Sequence, residues 1–265
     1  MSSPISFIKN LTGKKKGYPG AQPSNLNLNY KYSWKDWYIS NKFDGERILL
    51  FGYQNKSYSI NRKNELSTVN FFIRNGDVFD TEKVNNNYYI LDFISENEKL
   101  LDIPFYKRIR LFLEILSYKN SNLKSKLFLN FNSQEKLKLD LELKKVHSVF
   151  EGYIFTFKRT KITFSTTKNI LKWKPLEMNT IDFLYNKGKL FVGAKKGLEY
   201  ISVLLPTEIE IPDNSIIECI PILNGPKIYW SFFRFRNDKL KPNFITVYNN
   251  TIDTILNFKE LQFPK

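Results

Sequence analysis

The chain has 265 residues and a formal net charge of +15, with 42% hydrophobic, 16% aromatic and 25% charged residues. This composition excludes a disordered or fibrous protein and suits one large domain or two modest ones. No apolar run approaches the ~18 residues of a membrane-spanning helix, and the first twenty residues lack a secretory-signal pattern. The positive charge indicates a nucleic acid or nucleotide-phosphate partner, although a lysine-enriching AT-rich genome gives the same bias.

Histidine and cysteine each occur once, as His147 and Cys219. A single cysteine excludes a disulfide within the chain and a multi-cysteine metal site, and it favours a reducing compartment. A single histidine argues against a histidine-based hydrolase or a multi-histidine metal centre. Acid–base or nucleophilic chemistry is therefore expected from Lys, Asp, Glu, Tyr or Arg.

The beginning of the chain predicts loop followed by short strands. The first 30 residues are rich in Gly, Pro, Ser and Asn, which predicts loop or extended chain. Strand-like runs follow at Trp37–Ser40, Arg47–Tyr53 and Ser57–Asn61. Small polar turns separate these runs, so we expect an antiparallel meander.

Two later segments have helical character. Apolar residues recur at spacings of four, three and four from Phe105 to Leu116, which predicts an amphipathic helix over 104–118. Residues 135–145 are ambiguous, because their leucines alternate as in a strand whereas Glu, Lys and Leu favour helix. Tyr153–Phe157 and Ile170–Trp173 predict further strands.

Beyond Phe183 the pattern changes to short strand-like runs separated by Gly, Pro and Asp-Asn turns. The runs are Leu190–Val192, Tyr200–Leu205, Ile216–Ile222 and Tyr229–Phe235. This spacing is typical of a small β-barrel. We therefore predict domains at 1–184 and 185–265. Helical spacing returns in a tail helix at about 244–258, which packs on its own domain or back on the first.

The segment Lys42–Arg47 reads Lys-Phe-Asp-Gly-Glu-Arg and carries the strongest chemical signal. Alone, the string Lys-x-Asp-Gly is also compatible with a solvated turn between strands. As a reactive element it supplies a nucleophilic lysine, whose amine must first lose its proton. Positive charge from Arg47 or a metal ion favours that loss, and Gly45 permits close backbone approach.

Other distinctive segments accompany the lysine motif in a fixed order. They are Tyr18-Pro19-Gly20-Ala21-Gln22-Pro23, Asn75-Gly76-Asp77, Tyr89-Ile90-Leu91-Asp92-Phe93, Glu151-Gly152-Tyr153-Ile154-Phe155, Lys172-Trp173-Lys174-Pro175, Asn179-Thr180-Ile181-Asp182-Phe183, and Arg234-Phe235-Arg236-Asn237-Asp238-Lys239 with Pro242-Asn243. This series resembles the mRNA capping enzyme guanylyltransferases, which share a covalent nucleotidyltransferase superfamily with ATP-dependent DNA and RNA ligases. The Tyr-Pro-Gly entry and the last three segments resemble capping enzymes in particular.

The resemblance implies an α+β fold with an antiparallel-sheet nucleotidyltransferase domain and a C-terminal OB-fold β-barrel. It implies that Lys42 attacks the α-phosphorus of GTP, expels pyrophosphate and holds GMP through a P–N bond. The 5′-diphosphate end of RNA then takes the GMP to form the cap. The implied cofactor is Mg²⁺ or Mn²⁺, with Glu151 as its ligand.

The resemblance also implies a nucleotide-binding set. Its members are Arg47, Arg62, Asp77, Phe93, Lys172, Lys174, Arg234, Arg236, Asp238 and Lys239. Arg47 and Asp77 are expected at the ribose. Lys172 and Lys174 lie two apart on one predicted strand, which places them on one side for the α-phosphate. Closure of the second domain is expected to bring residues 234–239 to the β- and γ-phosphates.

The sequence departs from the family pattern at two places. Asn75-Gly76-Asp77 stands where the family usually has Asp-Gly-Glu, so its carboxylate is one methylene shorter. Leu91 stands where an aromatic residue often stacks on the base, and Phe93 and Tyr89 are the aromatic alternatives unless they are core residues.

The implied partners are GTP, 5′-diphosphate RNA, an RNA triphosphatase and a cap methyltransferase on separate chains, and RNA polymerase. We expect no membrane association. A cellular protein would act in the nucleus, and one encoded by a cytoplasmic virus or plasmid would act in the host cytoplasm. Two alternatives stay open. One is an ATP-dependent polynucleotide ligase that uses the same lysine. The other is a noncatalytic RNA- or protein-binding subunit, which the departures at Asp77 and Leu91 motivate.

Overall fold

The computed structural model describes residues 3–14, 18–28, 30–116, 122–148 and 150–264. The chain divides into two compact units, which are Met1–Trp173 together with Gln262–Lys265, and Lys174–Leu261. The division lies ahead of residue 184, which falls inside a strand of the second unit. Within the described ranges, no helix combines the length and apolar character needed to cross a membrane.

The first unit contains both helices and strands. Its helices are α1 (Pro4–Thr12), α2 (Phe105–Leu116) and α3 (Ser133–Val146). Its strands are β1 (Gln22–Asn25), β2 (Trp37–Asn41), β3 (Glu46–Tyr53), β4 (Lys56–Asn61), β5 (Leu66–Thr68), β6 (Val78–Val84), β7 (Asn87–Glu96), β8 (Lys99–Leu100), β9 (Leu123–Ser125), β10 (Leu129–Asn130), β11 (Tyr153–Phe157) and β12 (Thr166–Trp173).

These strands form two sheets. One has the order β1-β12-β11-β2-β10, and the other has the order β5-β4-β3-β6-β7-β8 with β9 beside β7. Their pairings are antiparallel except for β1 with β12 and β7 with β9. The predicted meander is correct for β3 and β4, which form a hairpin, but β2 pairs with β11 in the other sheet. Local patterns miss this because the partner of β2 lies far along the chain.

The N-terminal segment was predicted as loop, and that prediction is wrong for α1. Ser3 caps this helix by accepting a hydrogen bond from the Ser6 N–H at 3.1 Å, and Pro4 follows at the first helical position. This pair is a recognised helix-start signal. Gly13 ends the helix with a φ of 65°, in the left-handed region that glycine tolerates.

The other two helices of the first unit follow helical spacing. α2 confirms the amphipathic prediction, with Phe105 and Phe112 buried; position 118 lies outside the described residues. The ambiguous segment 135–145 is helical as part of α3, which buries Leu139 and Leu143 four residues apart. Helix propensity therefore outweighed the alternating leucines.

Side chains of the larger sheet pack in opposite directions because successive residues of a strand alternate. Leu50 and Phe79 belong to a core that includes Phe112 of α2. Leu49 and Phe51 belong to a separate core around Ile8 of α1. The strand that follows Lys42 is thus fixed by packing on both faces.

The second unit is built from β13 (Ile181–Asn186), β14 (Lys189–Ala194), β15 (Gly197–Val203), β16 (Ser215–Asn224), β17 (Lys227–Phe235) and helix α4 (Ile245–Leu256). The strands form an antiparallel sheet of order β15-β14-β13-β16-β17. Within residues 174–261, all of which are described, a single parallel bridge from Leu204 to Trp230 relates the two ends of this sheet. The unit is therefore OB-like without being a closed barrel, and the α+β class is confirmed.

Helix α4 confirms the predicted tail helix. Its Ile252 and Ile255 pack in the core of the second unit, which contains Trp230. The short segment after the helix includes Phe263, which belongs to the first unit and contacts Phe131 at 4.9 Å between ring centroids.

Candidate active site

Lys42 follows the last residue of β2, and Glu151 lies just before β11. These strands are antiparallel, with Asn41 opposite Tyr153. The Lys42 N–H donates to the Gly152 carbonyl at 2.8 Å, and the Lys42 Nζ forms an ion pair with Glu151 Oε2. Both side chains retain some exposure, at 24% and 20%. The fold thus joins the predicted nucleophile to the predicted acid across 109 residues of sequence.

Two clefts of the first unit lie beside Lys42. Both include Lys42, Phe43, Arg47, Arg62 and Glu82. The first cleft is mainly apolar. Its further lining consists of Ala21, Pro23, Ser40, Asp80, Leu91, Asp92, Phe105, Lys126, Phe128, Ile154, Thr156 and Ile170. The second is polar, with Asp44, Asn61, Lys63, Glu65 and Glu151 among its residues. An apolar cavity with a few polar groups is typical of a small-molecule site.

Gly45 lies three residues after Lys42, where two strands come close together. A Cβ atom added there would stand 2.6 Å from the Lys83 carbonyl oxygen and 2.9 Å from Glu82 Cγ. Only glycine fits this approach without movement of β6. The glycine of the lysine motif is thus explained by packing.

Arg47 is fixed in the cleft by Asp80. The Arg47 Nε and Nη2 donate to the two Asp80 oxygens at 2.9 and 2.5 Å, and the Tyr18 hydroxyl donates to Oδ1 at 2.8 Å. Burial opposes the charge of Arg47, but Asp80 outweighs burial and raises the pKa of the guanidinium. Tyr18, the first residue of the Tyr-Pro-Gly entry, therefore helps to orient a charged arginine.

The structure places Asp77 away from both clefts, so it does not bring this predicted ribose ligand together with Lys42. This side chain is buried, accepts hydrogen bonds from Arg74 Nε at 3.0 Å and Asn97 N at 3.1 Å, and lines neither cleft. Five residues after Asn75 and Asp77, Asp80 and Glu82 have the Asp-x-Glu spacing of the family pattern, and both line the apolar cleft. The family pattern therefore fits residues 80–82 better than residues 75–77.

Thr81 makes the segment Asp80-Thr81-Glu82 depart from the family pattern, because it stands where the family usually has glycine. Thr81 is buried, and its hydroxyl donates to the Ile48 carbonyl at 2.7 Å. Burial raises the pKa of Glu82, while Lys126 is the largest of the opposing charges.

Phe93 is placed in the core, which is the alternative that the sequence left open for it, and it lines neither cleft. It is fully buried and stacks on Phe79, with ring centroids 4.6 Å apart and an interplanar angle of 13°. Leu91 lines the apolar cleft instead. Tyr89 packs edge-on against Phe43 at 5.0 Å. The cleft therefore has an aliphatic wall at the position expected for an aromatic platform.

Lys126 is a cleft residue that the sequence did not reveal. It is only 4% exposed, and its Nζ lies 4.9 Å from the centre of the Phe43 ring. Burial lowers the pKa of Lys126 to about 8, although Glu142 and Glu82 favour the charged form. No motif marks this lysine, because only the fold turns it inward.

Arg62 lies on the rim shared by both clefts. It follows Asn61, whose Oδ1 accepts hydrogen bonds from the N–H groups of Lys63 and Glu65, both at 3.0 Å. These bonds define the turn after β4. The predicted residue Arg62 is therefore placed with Lys42 and Arg47.

Lys172 lies on β12 opposite Ile154, which in turn is opposite Ser40 on β2. Ile154 and Ser40 both line the apolar cleft, so strand alternation places Lys172 on the same face. Lys174 differs, because β12 ends at Trp173 and the Lys174 Nζ donates to the Met178 carbonyl at 3.3 Å. The predicted strand alternation therefore does not extend to Lys174, which begins the second unit.

The remaining predicted cations form a cluster within the second unit. Asp182, Glu218 and Arg234 lie opposite one another on β13, β16 and β17. The Arg234 Nε donates to Glu218 Oε2 at 2.6 Å. Burial opposes ionisation of Glu218, but hydrogen bonds from Thr180 and Arg234 outweigh it and lower the pKa.

Arg236 and Lys239 complete this cluster. The Arg236 Nη1 reaches Asp182 Oδ1 at 2.8 Å and Glu218 Oε2 at 3.4 Å. Its Nε and Nη2 donate to Asp238 at 2.9 and 2.8 Å, and Lys239 forms an ion pair with Asp182. Three cations thus meet three carboxylates, so the cluster is close to neutral.

Two family models cover most of the chain. The catalytic-domain model of the mRNA capping enzyme matches residues 5–176, and the C-terminal-domain model matches residues 186–258. The chain belongs to the mRNA capping enzyme family. The predicted relationship to capping nucleotidyltransferases is therefore confirmed at the level of the family.

Individual capping enzymes are similar over most of this chain. An mRNA-capping enzyme of Caenorhabditis elegans is 28% identical across 94% of this chain and 49% of its own length. An mRNA-capping enzyme of Mus musculus is 28% identical across 86% of this chain and 45% of its own length. An mRNA-capping enzyme subunit alpha of Yarrowia lipolytica is 25% identical, with 95% and 82% covered. The chain thus spans about half the length of the worm and mouse relatives.

A solved structure of mycobacterial DNA ligase D, described as complexed with ATP and MES, is similar in fold. It aligns with a TM-score of 0.52 and 15% identity, covering 83% of this chain and 95% of the ligase chain. This likeness supports a nucleotidyltransferase-like fold for the capping-family chain.

The donors at the site fit a divalent cation of the magnesium type. Among the described residues, no three His, Cys, Asp or Glu side chains form a group suited to a metal ion. Mg²⁺ needs fewer protein ligands, since one or two carboxylates commonly hold it together with substrate phosphates and water. Glu151, partly exposed beside Lys42, is a fitting carboxylate.

Proposed function

We propose that this protein is an mRNA guanylyltransferase that passes GMP from GTP to the 5′-diphosphate end of RNA through Lys42. The observation that carries the proposal is the Lys42–Glu151 pair at the edge of a cleft with apolar walls. Membership of the capping enzyme family supports the choice of reaction.

In the first step, Lys42 Nζ attacks the α-phosphorus of GTP. A P–N bond forms while the bond from the α-phosphorus to the bridging oxygen breaks, and pyrophosphate leaves. Glu151 Oε2 already contacts this amine, so it is the group positioned to accept the amine proton. In the second step an oxygen of the RNA diphosphate attacks the same phosphorus, and the P–N bond breaks to regenerate Lys42.

Fixed positive charge around the α-phosphate stabilises the charge that develops during both steps. Arg47, oriented by Asp80, and Lys172, on the cleft face of β12, are the cations of the first unit with this role. Arg62 provides a third cation at the rim. When bound, Mg²⁺ or Mn²⁺ held by Glu151 supplies further positive charge to the phosphates.

Glu82 takes the ribose contact that the sequence assigned to Asp77. Its carboxylate lines both clefts, and carboxylates accept hydrogen bonds from hydroxyl groups. Thr81 in place of glycine does not disturb the position of this carboxylate, because its side chain points inward to Ile48.

Lys126 selects guanine over adenine in this proposal. It lines the apolar cleft, and an ammonium group is a donor without acceptor capacity. Guanine O6 accepts a hydrogen bond at the position where adenine presents an amino donor. A charged Lys126 therefore favours GTP.

The second unit contributes cations in the manner that the family resemblance implies. Lys174, Arg234, Arg236 and Lys239, with Asp238 as a partner of Arg236, are proposed to bind the triphosphate. The acidic partners within their cluster hold these side chains in place before phosphate binds.

The remaining partners follow from this reaction. An RNA triphosphatase must supply the 5′-diphosphate end, and a methyltransferase acts on the product. The Yarrowia lipolytica relative is named as subunit alpha of its mRNA-capping enzyme, which supports assembly with another subunit. The named relatives are eukaryotic, which supports action in the nucleus, with RNA polymerase as a further partner.

The test is to incubate the purified protein with Mg²⁺ and either α-labelled GTP or α-labelled ATP. We expect an acid-labile, protein-bound label from GTP that Lys42→Ala abolishes and that pyrophosphate removes. Transfer of the label to 5′-diphosphate RNA completes the assay. A label from ATP alone would identify a ligase, and retained RNA binding with no label from either nucleotide would identify a noncatalytic subunit.

A further inference from the structure

Glu142 is a buried carboxylate on α3 that has no part in the proposed transfer steps. It is 8% exposed, whereas Asp140 on the same helix is 42% exposed at its side chain. A carboxylate that is withdrawn from water must receive hydrogen bonds from the protein. The partners of Glu142 therefore indicate its role.

Each oxygen of Glu142 receives a hydrogen bond from a different segment. Oε1 accepts the backbone N–H of Leu127 at 2.7 Å, and Oε2 accepts Asn41 Nδ2 at 2.9 Å. Asn41 Nδ2 also donates to the Leu139 carbonyl of α3 at 2.7 Å. Asn41 is fully buried, and its Oδ1 has no hydrogen-bond partner within the described part of the chain. The side-chain amide of Asn41 is thus held to α3 through its nitrogen, which donates both hydrogen bonds.

The two segments are those that carry the lysines of the cleft. Asn41 immediately precedes Lys42, and Leu127 immediately follows Lys126. We infer that Glu142 is a positioning residue for nucleotidyl transfer, which fixes from α3 the segments bearing Lys42 and Lys126. This inference rests on the proposed function and adds to it the element that aligns the nucleophile with the base-selecting cation.

Charge links Glu142 to the same site. Lys126 faces Glu142 from α3 and Glu82 from β6, and both favour its charged form. Lys42 and Arg47 oppose that form. Neutralising Glu142 therefore lowers the pKa of Lys126 further. This electrostatic effect on Lys126 can be measured separately from the hydrogen bonds that Glu142 accepts from Asn41 and Leu127.

The decisive variant is Glu142→Gln. It keeps the volume and one oxygen, but it removes the charge and sets an NH₂ group against one of the two donors, Asn41 Nδ2 or the Leu127 N–H. We expect formation of the Lys42–GMP adduct to slow about tenfold, since small displacements of reacting groups reduce rate steeply. We also expect the preference for GTP over ATP to be lost at a lower pH than in the wild type. Asp140→Asn is the matched control on α3 and is expected to leave both readouts unchanged.

Two further variants separate positioning from folding. Glu142→Asp keeps the charge but is too short to reach both donors, so we expect a slower rate with the wild-type pH profile. Combining Glu142→Gln with Asn41→Ala is expected to add little to either single change, because both break one connection. Each rate is expressed per folded molecule from thermal unfolding curves.

The results distinguish this inference from the function on which it rests. Absence of an adduct in the wild type would reject the guanylyltransferase proposal itself. A wild-type adduct together with unchanged rate and pH profile in Glu142→Gln would overturn the positioning role. A rate loss that disappears when expressed per folded molecule would overturn it as well.

Discussion

Asp182 and Glu218 lie directly opposite each other on β13 and β16, and both carboxylates are buried. Two like charges in this arrangement destabilise a sheet unless cations compensate them. Arg236 provides the compensation by reaching both with one nitrogen. The arginine predicted from sequence as a phosphate ligand is therefore also a structural residue of the second unit.

Arg236→Ala is expected to destabilise the second unit by about 3 kcal/mol, because it removes the cation that bridges the two buried carboxylates and leaves each with one less buried partner. Arg234→Ala is the comparison. The Arg234 side chain is 52% exposed, so its loss is expected to cost less than about 1 kcal/mol. Denaturant unfolding of both variants measures the difference. Equal losses would show that Arg236 does not bridge the pair.

Glu82→Gln is expected to raise the KM for GTP about tenfold, equivalent to ~1.4 kcal/mol of binding, with little change in thermal stability. Asp77→Asn is expected to behave in the opposite way. It removes the ion pair with the half-exposed Arg74 and lowers stability by about 1 kcal/mol, while the KM stays unchanged. Adduct kinetics and thermal unfolding of the two variants check this. A KM effect confined to Asp77→Asn would restore the original assignment.

The preference for GTP over ATP is expected to fall as the pH rises through about 8. Burial lowers the pKa of Lys126 to about 8, so the donor loses its charge above that value. The folded chain also binds fewer protons than the unfolded chain between about 8 and the ordinary lysine value of 10.5, so the unfolding free energy rises across this interval. Lys126→Met should flatten both profiles. Paired GTP and ATP labelling at several pH values checks the first effect, and a pH-independent preference in the wild type would reject it.

Cys219 is expected to resist thiol reagents in the folded protein. It is fully buried on β16, and burial raises the pKa of the thiol, so little reactive thiolate forms. Since it is the single cysteine of the chain, its modification reports opening of the second unit. Mass spectrometry of alkylation with and without denaturant measures this. Arg236→Ala should react faster than Arg234→Ala, and rapid reaction of the native wild type would contradict the prediction.

The sequence predicted best where a short pattern carries its own physical meaning. Helical spacing placed α2 and α4, and the ordered motifs identified the family and predicted Lys42 and Glu151 as members of one site. The Ser3-Pro4 signal for α1 is equally local, but the polar residues around it favour a prediction of loop. At residues 80–82 Thr81 replaces the expected glycine, so the pattern Asp-Gly-Glu points to residues 75–77 instead.

The sequence alone determined the chemistry that local residue order encodes. It placed Lys42 three residues before a glycine that the packing requires, and it set the cations Arg234, Arg236 and Lys239 at a defined spacing. Tertiary structure decided which side chains meet. Pairing of β2 with β11 brings Lys42 to Glu151, and burial separates Phe93 in the core from Leu91 in the cleft. The contacts of Lys126 and Glu142 arise between segments distant in sequence, and their charges depend on exclusion from water, which no local pattern records.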